Sequence, residues 1–227
     1  MSVLDALRGG LIVSVQAWKG SALDDPLVIA ALARAAQDGG AVAVRVAGEA
    51  HLRAVRKRVE IPIVGLIKRE YPGFEPYITP ACEEVAAIVA AGAEIVAFDA
   101  TARPRPAGAT IAAIVDAIAA AGCVPMADCA TAADARRAAA LGSPIVATTL
   151  CGYTPETAGQ QLPALSLVRE LASLDAFVVC EGGVTEPAHV RAALDAGADA
   201  VVVGTAITNV DWLVRRFAGS ADTVRNR

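Results

Sequence analysis

Short, continuously apolar runs recur along the chain, and alanine-rich stretches with helical spacing separate them from end to end. The runs at 11–16, 41–46, 61–67, 94–98, 123–127, 144–147, 176–180 and 200–203 lack the polar alternation of a half-exposed sheet. They therefore read as parallel strands covered on both faces. The stretches at 26–37, 80–91, 110–121, 132–141, 163–173 and 187–196 read as helices. Three of them open on a polar residue followed by proline (Asp25-Pro26, Thr79-Pro80 and Glu186-Pro187), a helix-start signature. A pattern of alanine, glycine and an apolar run recurs around Gly40, Gly92, Gly142 and Gly197, where glycine is expected to end a helix and turn the chain into a strand. Eight strand-then-helix units predict an α/β fold, a TIM (β/α)8 barrel forming a single domain over residues 1–227. No GxGxxG follows the first strand, so a dinucleotide-binding fold is the weaker reading.

Composition narrows the classes. The chain has 227 residues, 55% of them hydrophobic, and a mean hydropathy of +0.49, so a membrane reading has to be tested. The uncharged stretch 117–127 is too short to span a bilayer and contains Gly122 and Pro125. The opening MSVLDALRGG carries Asp5 and lacks both a basic start and a long apolar segment, so a cytoplasmic protein is expected. Five scattered cysteines without CxxC spacing read as buried thiols in a reducing compartment. With two histidines and no Cys/His cluster, no metal site is expected. A formal charge of -4 gives no general drive toward nucleic acid or anionic membrane.

The candidate chemistry lies where the runs stop: Gln16, Arg45, Lys68, Asp99, Asp128, Thr149, Glu181 and Gly204. In a barrel these C-terminal strand ends surround one mouth, where active sites form. Lys68, partly desolvated and beside Arg45, is suited to act as a proton acceptor or an amine nucleophile. Glu181, across the barrel from it, is suited to acid–base work or to pairing with a cation. Thr131 is the expected helix cap after the fifth strand, leaving Asp128 free to face the mouth. Arg45 and Gln16 are suited to orienting substrate oxygens or satisfying loop carbonyls. Asp99 is expected to anchor the stiff loop of Arg103 and Arg105 rather than leave it to bind an anion. The turns at Gly182-Gly183 and Gly204-Thr205 offer backbone N–H groups to a phosphate, helped by the helix that follows.

The segments GLIVSVQA, AVAVRVAG, IPIVGLIKRE, FDATARPRP, ADCAT, TTLCGYT, EGG and VVVGTAIT, in this order across nearly the whole chain, resemble the N-acetylmannosamine-6-phosphate 2-epimerases of sialic-acid catabolism. The resemblance implies a barrel that interconverts N-acetylmannosamine 6-phosphate and N-acetylglucosamine 6-phosphate with no redox cofactor and no essential metal. It implies Lys68 as the proton-transfer residue and Glu181 as the catalytic carboxylate. Arg45 and Asp128 are the implied supporting polar groups, with Arg45 at the developing enolate oxygen, and Gln16 is the implied substrate ligand. The chain departs from the family pattern at Gly183 and Asn209, where basic residues are usual, and at Ala47, where an acid is common. Two rivals use the same barrel: a Schiff-base aldolase or other phosphosugar enzyme, and a noncatalytic sugar-phosphate sensor. A homodimer is expected from the general frequency of twofold assemblies.

Overall fold

The computed structural model describes residues 2–225, with side chains through residue 219. After a short α1 (Val3–Leu7), the chain alternates β1 (Leu11–Val15), α2 (Pro26–Asp38), β2 (Ala43–Ala47), α3 (Glu49–Arg56), β3 (Ile63–Leu66), α4 (Cys82–Ala90), β4 (Ile95–Asp99) and α5 (Ile111–Ala120). It continues through β5 (Val124–Asp128), α6 (Ala132–Ala140), β6 (Ile145–Ala147), α7 (Leu165–Leu171), β7 (Phe177–Cys180), α8 (Pro187–Asp195), β8 (Ala200–Val203), α9 (Thr205–Thr208) and α10 (Val210–Arg225). Each strand pairs in parallel with the next, and β8 returns to β1 with Ile12 opposite Val202, closing an eight-stranded barrel. The predicted TIM barrel is therefore the observed fold.

Closure divides the core in two. Residues of one parity, including Ile12, Ala43, Val64, Ile95, Met126 and Phe177, fill the barrel interior. Their neighbours of the other parity, such as Val13, Val44, Ile63 and Val96, pack outward against helix residues such as Ile29, Ala33, Leu52, Ile88 and Ile114. This explains why the runs are apolar without alternation: both faces of the sheet are buried. The short α1, which the apolar pattern does not reveal, sets Leu7 against the interior core, with Val3 and Leu4 packed beside it.

Several boundaries differ from the sequence reading, and one difference has chemical weight. The second strand runs from Ala43 to Ala47, so Arg45 lies inside it instead of closing it. Its side chain therefore starts deeper in the barrel than those that follow a strand. Asp99 and Asp128 are the last residues of β4 and β5, whereas Lys68 and Glu181 lie just beyond β3 and β7. Thr79-Pro80 is not a helix start. Thr79 has a left-handed φ of 43° and its buried hydroxyl donates to the Ala97 carbonyl at 2.7 Å, and α4 begins only at Cys82. Asp25 caps α2 and Thr131 caps α6 as expected. The repeat glycines Gly40, Gly92, Gly142 and Gly197 take φ of 95°, 92°, 97° and 103° just past helix ends, a region glycine enters at little steric cost.

Candidate active site

Arg45 is the centre of the mouth. Its side chain rises from the middle of β2, is 2% exposed, and meets two carboxylates from the far half of the barrel. Nη1 donates to Asp128 Oδ1 at 3.0 Å and Nη2 to Asp128 Oδ2 at 2.6 Å, a bidentate pair on a carboxylate with no solvent exposure. Nη1 also lies 2.9 Å from Glu181 Oε2. Burial works against the guanidinium charge, but the two carboxylates outweigh it and hold Arg45 firmly protonated. Both terminal nitrogens of Arg45 thus hold carboxylates, while its buried Nε has no protein partner.

Two threonines at the end of β6 complete the arrangement around Glu181. Thr148 Oγ1 accepts from the Glu181 N–H at 3.0 Å and donates to the Glu181 carbonyl at 2.8 Å, fixing its backbone at both ends. Thr149 Oγ1 lies 2.7 Å from Asp128 Oδ1 and 3.1 Å from Glu181 Oε2. In the sequence Thr149 stands at the end of an apolar run with no role of its own, and nothing singles out Thr148. The available signal was a Thr-Thr pair closing an apolar run.

Lys68 stands two residues beyond β3, where a single antiparallel bridge to Ile78 fixes the backbone. Its side chain is open to the mouth, yet the surrounding protein displaces enough water to push its pKa below the ordinary lysine value, and Arg45 adds to that shift. Glu181 and Asp128 oppose it. Burial shifts Glu181 the other way, above the usual carboxylate value; Arg45 opposes this and Asp128 reinforces it. The mouth thus favours a lysine that gives up its proton readily and a carboxyl that keeps its own. Tyr77 also belongs to this field: burial, with the negative charges of Asp128 and Asp99, raises its phenol.

The remaining candidates separate into binding and scaffold. Gln16 is half-buried and its Nε2 donates to Ser14 Oγ at 2.9 Å. Gly182 and Gly183 take φ of 103° and 68°. A Cβ at Gly183 would lie 2.3 Å from Leu162 Cβ, so this turn carries no side chain because Leu162 occupies the space. At Gly204 a Cβ would lie 3.1 Å from Ser14 Cβ, which ties the end of β8 closely to β1. Thr205 opens α9, a single turn, so the helix behind this turn is shorter than expected. Asn209 Oδ1 accepts from the Trp212 N–H at 2.9 Å and is thereby used in capping α10. Asp99 accepts from Thr101 Oγ1 at 2.6 Å and Arg103 Nη2 at 2.7 Å, with Arg105 Nη2 at 3.3 Å, so it anchors the arginine loop as expected.

The comparisons with known proteins converge on one description. Residues 29–223 match the family model described as "Putative N-acetylmannosamine-6-phosphate epimerase". The chain belongs to this family. Two curated members, both named "Putative N-acetylmannosamine-6-phosphate 2-epimerase", are 47% identical in Synechococcus elongatus, over 94% of both chains, and 42% identical in Enterobacter, over 97% of this chain and 96% of that one. The N-acetylmannosamine-6-phosphate 2-epimerase of Clostridium perfringens, a solved structure, superposes with a TM-score of 0.94 at 38% identity, covering 96% of each chain. A thiamine phosphate pyrophosphorylase from Pyrococcus furiosus shares the barrel alone, with a TM-score of 0.62 at 15% identity. Membership in the epimerase family agrees with the resemblance read from the sequence.

Proposed function

We propose that this protein interconverts N-acetylmannosamine 6-phosphate and N-acetylglucosamine 6-phosphate by removing and returning the proton at C2. The observation that carries this reading is one barrel mouth that gathers Lys68 beyond β3 and Glu181 beyond β7, with Glu181 Oε2 held 2.9 Å from Arg45 Nη1; burial lowers the lysine and raises the carboxyl. In the ring-opened sugar the C2 proton is acidified by the C1 aldehyde. Neutral Lys68 takes that proton as the C2–H bond breaks, and protonated Glu181 gives its proton to the C1 oxygen as the enol forms. Reversal with delivery to the other face of C2 yields the epimer and restores both groups. Neutral Lys68 with protonated Glu181 has the same net charge as the ammonium–carboxylate pair but two fewer charges withdrawn from water, which is why desolvation favours the reactive form.

Asp128 and Arg45 act on this pair from beneath. Arg45 holds Glu181 in place and discourages a second positive charge on Lys68. The sugar phosphate is assigned to the backbone N–H groups of the Gly182-Gly183 and Gly204-Thr205 turns, with Gln16 reaching a sugar oxygen. The absence of a side chain at Gly183 and the capping role of Asn209 support a phosphate held by backbone donors. A homodimer is supported by Val210, Val214 and Phe217, which lie exposed at helical spacing on α10. Among the described residues no helix is long and apolar enough to cross a membrane. Five cysteines, all unpaired, support a cytoplasmic setting.

The test is proton NMR with N-acetylmannosamine 6-phosphate in deuterated water. Formation of N-acetylglucosamine 6-phosphate carrying deuterium at C2, lost in Lys68→Ala, is expected. Epimerisation without deuterium uptake, or an undiminished rate in the variant, would overturn the assignment of Lys68. Covalent trapping by borohydride with substrate would instead point to a Schiff base.

A further inference from the structure

Around Glu181 stand Arg45 from β2, Lys68 beyond β3, Asp128 at the end of β5, Thr149 beyond β6 and the Cys180 thiol beside it on β7. Only one of these groups is a neutral donor within reach of both carboxylates. Thr149 Oγ1 is 2.7 Å from Asp128 Oδ1 and 3.1 Å from Glu181 Oε2, and a hydroxyl has a single hydrogen to give. Asp128 is already held by both terminal nitrogens of Arg45, so it does not depend on that hydrogen. Glu181 has a different need: its Oε2 faces Arg45 and Thr149 whatever its charge, and it must stabilise a full negative charge whenever it has given up its proton.

We propose that Thr149 is a positioning residue whose hydroxyl points to Asp128 while Glu181 is protonated and turns to Glu181 Oε2 when Glu181 gives up its proton, steadying the carboxylate through the turnover. The hydroxyl needs only to rotate about one bond, and both acceptors already lie within hydrogen-bond distance. With Oε2 beside Arg45 Nη1 in both states, the second oxygen, Oε1, is left to exchange the proton with substrate. This inference rests on Glu181 acting as the proton donor in the proposed reaction.

Two consequences follow from a hydrogen that is available only to the ionised form. Removing it makes ionisation of Glu181 harder, and it slows the proton-transfer step without weakening the hold on substrate. The experiment is a titration of Glu181 by NMR of the protein labelled with 13C at the glutamate side-chain carboxyl, assigned by Glu181→Gln, in the wild type, Thr149→Val and Thr149→Ser. Thr149→Val is expected to titrate at higher pH than the wild type and to lose about tenfold in kcat with little change in KM, whereas Thr149→Ser restores both. Thr149→Ala gives the same signs should the valine variant fold poorly. A Glu181 titration that is unchanged or moves to lower pH overturns the proposal, as does a serine variant that behaves like valine. Because the titration needs no turnover, that outcome stands apart from a failure of the epimerase reading, which the absence of any C2 exchange in the wild type would reveal.

Discussion

Asp128 does two jobs with one carboxylate: it neutralises Arg45 in a site closed to water, and its charge raises the pKa of both Lys68 and Glu181. The two jobs predict separate outcomes for Asp128→Asn. Because the same negative charge raises both reacting groups, removing it lowers both, so the acid and alkaline limbs of the bell-shaped kcat/KM profile move to lower pH together. A profile measured across that range checks the sign. The variant also leaves Arg45 with a weaker partner and is expected to lose about 3–5 kcal/mol of stability, read from urea unfolding. The ionisable residues of this site were legible in the sequence because they stand at or near the ends of apolar runs, which a barrel gathers at one mouth. Thr148 and Thr149 were not. Hydroxyls at strand ends are ordinary, and theirs matter only because folding brings Glu181 from 33 and 32 residues away to meet them.

At the scale of elements, the strands were visible as apolar runs, but their ends and inward parity were not, since both faces of every strand are buried. Arg45 shows that ambiguity: it reads as the close of β2, whereas it lies inside the strand and its side chain meets Asp128. Thr79-Pro80 misled for the opposite reason, a local helix signal overridden by a tertiary bond from Thr79 to the Ala97 carbonyl. The turn after β7 gives a firmer expectation. Gly183 combines φ of 68° with the Leu162 Cβ lying 2.3 Å from where its own Cβ would be. Gly183→Ala is therefore expected to cost about 1–3 kcal/mol, measured by urea denaturation, and a second substitution, Leu162→Gly, is expected to relieve the clash but not the left-handed backbone.

At the scale of the whole molecule, β8 and β1 close the barrel, and α10 carries Val214 and Phe217 at 59% and 74% exposure. If that face joins two copies, Phe217→Asp shifts the sedimentation coefficient from dimer to monomer while the circular dichroism of the barrel is retained. A wild type that sediments as a monomer at all concentrations overturns this expectation. Closure also has a consequence for how the chain comes into being. Arg45 is made early, but its bidentate partner Asp128 follows 83 residues later. At typical synthesis rates of about 5–20 residues per second, the guanidinium waits roughly 4 to 17 seconds for that carboxylate, and longer still for Glu181. The half of the barrel that emerges first thus carries a charge whose partners are still to be made, and β2 is expected to stay open to water until its counterpart strand arrives.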